Sequence, residues 1–356
     1  MTSDAPQVPT RDNGIFRPEM IFVIGAPRSG TTMLERMLSS HSQILGGPEP
    51  HLITPLAHLG VWDKVDKAPY DAILAAEAQK LFVSRLPRGE ADYWDACRAY
   101  CDILYGRYLQ AHGPGKRYCL DKTPAYALVL PFLARIYPDA RYVVLTRHPI
   151  AVFASFAESF FDDDWQEAHR HNPIIERYVP AIADFLRQDT PSRIHVRYED
   201  LVRQPEPEFQ RICAYLDLPF EQEAIEYGRA EKDTLHQQGL GDPTGVNRHQ
   251  RPTTASVSKW VAALLDHPDR IELMRRALAK VSDEDLNTVG YPRETLWAPL
   301  EKAGAMKVKP PRASLTRYRI ERKIIVRGRA LVRRVPALRR FLQRCRLFLD
   351  VLLREQ

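Results

Sequence analysis

Three features of the sequence predict an α/β fold with a central parallel β-sheet flanked by helices. Apolar runs of strand length alternate with helix-period segments along the chain. The first run, MIFVIGA (20–26), leads into a glycine turn and then a helix. Another, RYVVLTRHP (141–149), leads into a helix that opens on proline. Continuous apolar runs mark strands buried on both faces, and alternation with helices supplies the crossovers that parallel strands need.

The elements follow in order. Residues 20–26 form the first strand, and 31–40 a helix with Leu34, Met37 and Leu38 on one face. Residues 117–124 (RYCLDKTP) form a weaker strand ending in a turn, and 128–140 a helix and its exit. Residues 141–149 are the clearest later strand. Its helix starts near Pro149, which suits a first turn because it lacks an N–H that would go unpaired there. SRIHVRYEDLV (192–202) is a further strand. Residues 205–220 form an amphipathic helix with Phe209, Ile212, Cys213 and Leu216 on one face. Residues 236–258 are rich in Gly, Pro, Thr and Ser and read as a long loop, after which SKWVAALL and 268–281 return to helix. The organisation expected is a leader (1–18), one α/β domain (19–304) and a tail (305–356).

The first turn reads GAPRSGTT. Gly25 and Gly30 keep the spacing of a P-loop, G-x-x-x-x-G-K-[ST], but Thr31 stands where the lysine belongs, followed by Thr32. A strand–glycine turn–helix unit aims backbone N–H groups and a helix N-terminus at one anion. Arg28 adds a guanidinium, and Ser29, Thr31 and Thr32 add hydroxyls. That inventory suits a phosphate with few further phosphoryl groups, because the lysine that grips β- and γ-phosphates is missing. At the second junction Arg147 ends a strand and Ser155 lies eight residues on, on the following helix. An arginine fork and a hydroxyl so placed suit a phosphate dianion.

Together the two sites resemble the sulfotransferases that use 3′-phosphoadenosine 5′-phosphosulfate (PAPS). The likeness is to the branch with the tyrosylprotein sulfotransferases and many bacterial enzymes, over roughly residues 20–295. It implies a P-loop-type sheet, with Arg28, Ser29, Gly30, Thr31 and Thr32 on the 5′-phosphosulfate and Arg147 and Ser155 on the 3′-phosphate. CLDKTP is similar to that branch's N-K-x-P segment, which implies Lys122 beside the transferring sulfuryl group. VRYEDLV resembles its strand with a tyrosine near adenine, giving Tyr198. VSKWV resembles its Ser-Lys-Trp, giving Lys259 near a donor phosphate. Glu49 falls at the branch's catalytic glutamate by spacing from Arg28. Pro-Glu-Pro-His stands where the branch has Glu-Glu-Thr-Arg, so Glu49 and His51 both remain candidate bases.

The implied activity is in-line sulfuryl transfer to an acceptor hydroxyl on a small molecule, sugar or lipid-like compound, leaving 3′,5′-ADP, with no metal required. Two rivals stand beside it. A P-loop kinase that lost its lysine predicts magnesium dependence and ATP binding. A PAPS-fold scaffold predicts donor binding without transfer. The acidic run FFDDDW (160–165) reads as a solvated loop, since three adjacent acids do not face one point on a helix.

The 356 residues are 44 % apolar and 27 % charged, with a net charge of +6, which suits a soluble globule. Residues 305–356 hold 16 Lys/Arg against 3 Asp/Glu, a balance of +13, which leaves the remainder at −7. No nucleic-acid partner is therefore expected for the body. In 336–356, Leu338, Phe341, Leu342, Cys345, Phe348, Leu349 and Leu352 share one helical face and the arginines fall elsewhere. Such a helix suits peripheral contact with an anionic membrane. The alternative is docking onto the acidic body or a second copy, giving a homodimer. Five cysteines without metal spacing and the absence of a signal-like start are read as cytoplasmic, at most peripheral at the inner membrane face.

Overall fold

The computed structural model describes residues 17–47, 49–59, 61–62, 72–229 and 250–305. The expected leader and tail fall almost wholly outside these residues, as does most of the 236–258 loop. The described part is built on a five-stranded, all-parallel sheet in the order β2-β3-β1-β4-β5. The strands are β1 (Glu19–Ile24), β2 (Ile44–Leu45), β3 (Tyr118–Asp121), β4 (Arg141–Thr146) and β5 (Arg193–Arg197).

β1 lies at the centre because both of its faces are apolar. Ile21 and Val23 point to one side, with Val143 and Leu145 of β4. They pack on α1 (Thr31–Ser39), where Leu34, Met37 and Leu38 are fully buried as the helical period requires. Met20, Phe22 and Ile24 point to the other side. There they meet a larger core that includes Tyr105 of the 23-residue helix Glu90–His112 and Phe132 of Leu130–Ile136. Pro149–Phe161 and Ile174–Arg187 complete that layer. In chain order these helices are α4, α5, α6 and α8, with α2 (Ile53–Ala57), α3 (Ala72–Val83) and α7 (Trp165–His171) between them. After β5 come α9 (Tyr198–Arg203), α10 (Pro205–Tyr215), α11 (Lys259–Leu264) and α12 (Pro268–Ala279).

One expectation is corrected and one strand is added. The strand predicted at 192–202 ends at Arg197, and Tyr198 opens α9. Two carboxylates, Glu199 and Asp200, favour a first helical turn there over continuation of the strand. The edge strand β2 is absent from the sequence reading because two residues are too few for a periodic signal.

In open parallel sheets, ligands bind beyond the carboxyl ends of the strands, where the connections diverge to opposite faces. Here that point is the tip of β1. Its following helix packs on one face, and the helices after β3 and β4 pack on the other. The turns after β1, β3 and β4 carry Arg28–Thr32, Lys122 and Arg147, respectively.

Candidate active site

The β1–α1 turn is shaped by close approach. Gly30 sits at φ +99°, and a Cβ there would lie 2.6 Å from the Tyr198 ring. A Cβ on Gly25 would meet the Ser29 and Thr31 side chains at 2.7 Å and the Leu145 carbonyl at 2.8 Å. Both glycines are thus required, one by conformation and both by space. Arg28 also lies in the left-handed region, at φ 70°, which a non-glycine residue adopts at a cost. Ser29 and Thr31 are buried, and Thr32 and Arg28 are half-buried. The Ser29 hydroxyl has no hydrogen-bond partner among the described residues, an orphan that suits an anion or a water at the loop.

The two predicted anion sites meet at Arg28. Its Nε donates to Ser155 Oγ at 3.3 Å, on α6. Its main-chain carbonyl accepts from Arg147 Nη1 at 3.0 Å. The other terminal nitrogen of Arg147 donates to the Ser256 carbonyl at 2.9 Å. The Arg147 guanidinium lies 4.4 Å from the centre of the Tyr198 ring, and its Nε is buried without a partner. Tyr198 thus underlies both sites: its ring carries Arg147 and abuts Gly30, and its hydroxyl bonds Ser256 Oγ at 2.6 Å. Lys259, three residues beyond Ser256, is exposed at the start of α11.

The turn after Arg147 is held rigidly. The His148 ring stacks on Trp260 at 4.4 Å and its Nε2 donates to the Leu296 carbonyl at 3.0 Å. Burial pushes its pKa down to about 4, so the ring is neutral. Its main-chain N–H donates to Glu199 Oε1 at 3.2 Å, which ties the β4 turn to α9.

A second group forms on the β3 side. Lys122 is buried, with its side chain 1 % exposed. It donates to Thr32 Oγ1 at 3.3 Å and forms a short ion pair with Glu49. Glu49 Oε2 is 3.5 Å from His51 Nε2, and the His51 side chain is about half exposed at 51 %. Lys122 therefore bridges the β1–α1 turn and the segment with both candidate bases. Among the described residues there is no cluster of His, Cys, Asp and Glu suited to a metal ion. No helix of those residues is long and apolar enough to cross a membrane.

Comparison with known proteins decides the family. The profile described as "Sulfotransferase family" matches residues 18–222, more than half of the chain. The chain belongs to the sulfotransferase family. It is 29 % identical over 303 residues to Nodulation protein NoeE of Sinorhizobium fredii, covering 77 % of this chain and 66 % of that protein. It is 27 % identical over 212 residues to a putative protein-tyrosine sulfotransferase of Caenorhabditis briggsae, covering 59 % of this chain and 69 % of that one. The chain thus spans about two thirds of the length of these relatives. Among solved structures it is similar to the sulfotransferase domain from the curacin biosynthetic pathway. The TM-score is 0.47 at 23 % identity, covering 74 % of this chain and 98 % of that one.

In this sulfotransferase-family chain the structure adds residues that sequence reading missed. Glu35 lies on α1 one turn beyond Thr31 and is fully buried. Its Oε1 accepts from Ser39 Oγ at 3.0 Å, and its Oε2 has no hydrogen-bond partner among the described residues. Burial raises its pKa to about 7 despite the opposing charge of Lys122. An acid among the buried residues of an otherwise apolar helix face was the available signal. Because the folded-state pKa lies above the unfolded value, the native state binds the extra proton. Stability associated with Glu35 therefore falls as pH rises from about 4.5 to about 7. Glu35→Gln is expected to match the wild type near pH 4.5 and to be more stable above pH 7. A gain of about 3 kcal/mol follows from the shift. Denaturant midpoints at both pH values measure it, and a gain independent of pH would contradict it.

Proposed function

We propose that the chain transfers a sulfuryl group from PAPS to an acceptor hydroxyl, leaving 3′,5′-ADP. The observation that carries this reading is the union of the two anion sites through Arg28. Its side chain meets Ser155 and its carbonyl meets Arg147, so a turn suited to a 5′-phosphate adjoins an arginine–serine pair suited to a second phosphate. A triphosphate needs no such second site. The unpartnered Ser29 hydroxyl and Arg147 Nε fit a ligand with anions at both places.

In this reading the loop amides, Arg28, Ser29, Gly30, Thr31 and Thr32 hold the 5′-phosphosulfate. Arg147 and Ser155 hold the 3′-phosphate, with Tyr198 and Lys259 around them. The acceptor oxygen attacks sulfur as the bond from sulfur to the phosphate oxygen breaks. Glu49 takes the acceptor proton, with His51 beside it as the other candidate. Lys122 stabilises charge on the sulfuryl oxygens and the departing phosphate, the positioning and electrostatic work on which group transfer of this kind depends. The tyrosine hydroxyl in the nematode relative's name belongs to the same acceptor class. The basic tail, 336–356, lies outside the described residues; its membrane, self-docking and dimer readings stand as proposals.

Calorimetric titration tests the donor assignment. 3′,5′-ADP is expected to bind at least tenfold more tightly than 5′-AMP, with ATP weaker and no dependence on magnesium. Equal affinity for 3′,5′-ADP and 5′-AMP would reject it.

A further inference from the structure

The residue before Lys122 is Asp121, the last residue of β3, and it is only 1 % exposed. Its carboxylate is fully partnered by hydroxyls. Oδ1 accepts from Thr123 Oγ1 at 2.9 Å, and Oδ2 accepts from Tyr126 at 2.9 Å and, in a shorter bond, from Tyr105. The Tyr126 hydroxyl does two things at once. It donates to Asp121 and accepts from the main-chain N–H of Ile53 at 3.2 Å. Ile53 is the first residue of α2, four residues after Glu49 and two after His51, and it is fully buried. Its N–H is one of the four at a helix N-terminus that lack an intrahelical acceptor. The Tyr126 ring is fixed in the core, 6.4 Å from the Phe22 ring of β1.

The geometry points to Asp121 and Tyr126 as positioning residues that pin the Glu49–His51 segment to the strand end bearing Lys122. The inference rests on the proposed roles of Glu49 and Lys122 and adds what holds them in register. One carboxylate at the tip of β3 orients Tyr126, and Tyr126 anchors the end of the segment that delivers Glu49 to Lys122. Such anchoring has catalytic weight because displacement of a reacting group by about 1 Å can cost about 10²-fold in rate. Burial holds the Asp121 pKa up at about 6, against the three hydroxyls and Lys122, so the carboxylate is ionised in assays at pH 8.

Tyr126→Phe in the full chain removes the hydroxyl and keeps the ring. Two readouts test it: amide exchange of a peptide covering residues 49–57, and hydrolysis of PAPS at pH 8 with water as acceptor. The expected result is at least tenfold faster exchange in that peptide, with peptides from α1 unchanged. Hydrolysis should slow about tenfold while affinity for 3′,5′-ADP stays within twofold. Tyr105→Phe takes another hydroxyl from the same carboxylate without touching Ile53, and it should leave exchange in 49–57 as in the wild type. In a Glu49→Gln background, Tyr126→Phe should cost no further rate, because it acts through Glu49. Unchanged exchange at 49–57, equal effects of the two tyrosine variants, or the same loss of rate in the Glu49→Gln background would each overturn the proposal. A wild-type chain that neither binds 3′,5′-ADP nor hydrolyses PAPS would instead count against the functional reading, and exchange alone would then decide the anchoring.

Discussion

Lys122→Met should lower PAPS turnover by roughly 10³-fold and leave 3′,5′-ADP affinity within about threefold, the scale seen when one preorganised charge or donor is lost from a transfer site. The side chain is 1 % exposed and touches Thr32 and Glu49. The first belongs to the turn assigned to the 5′-phosphosulfate and the second to the segment assigned to the acceptor. In the proposed chemistry negative charge grows on the sulfuryl oxygens and the departing phosphate, and the ammonium lies between the turn assigned to the one and the segment assigned to the acceptor. Methionine fills similar volume without charge, so the loss should be in chemistry and not in folding. Glu49 is 19 % exposed on its side chain, so water can reach its carboxylate once the partner is gone. Single-turnover release of 3′,5′-ADP with parallel calorimetry measures both quantities. A rate within tenfold of wild type would remove Lys122 from the mechanism.

The second large effect is on donor selection. Arg147→Ala is expected to weaken 3′,5′-ADP binding about 10²-fold and to change 5′-AMP binding little, which removes the preference for the second phosphate. A charge-assisted, two-pronged contact of about 2–3 kcal/mol accounts for that factor. Arg147→Lys should recover only part of it, since lysine lacks the planar fork that reaches Arg28 O and Ser256 O while lying on Tyr198. Titrating both nucleotides into both variants checks this. Parallel losses for 5′-AMP and 3′,5′-ADP would mean that Arg147 only supports the fold.

The central strands were legible because β1 and β4 are buried on both faces and read as unbroken apolar runs; Leu34, Met37 and Leu38 likewise announced the inner face of α1. α4 left no such mark. Asp102 lies buried among its core residues and is paid out in hydrogen bonds and an ion pair to Tyr137 and Arg98, so the apolar period is broken. The residues placed at the candidate site came from motif resemblance. Their meetings did not, because Arg28 reaches Ser155 across 127 positions and Lys122 reaches Glu49 across 73. Tyr126 shows the same limit: nothing local distinguishes a core tyrosine from one whose hydroxyl holds a distant amide. Tyr198 was misread as strand because its helix is only six residues long.

Arg28, held at a left-handed φ in the β1 turn, meets Ser155 with its side chain and Arg147 with its main chain. The two ends of the proposed donor are therefore read by a single mechanical unit. Alteration of the β1 turn is expected to reach the β4 turn through the bond between the Arg28 carbonyl and Arg147. A change of donor nucleotide would then require the β1 and β4 turns to be rebuilt in concert.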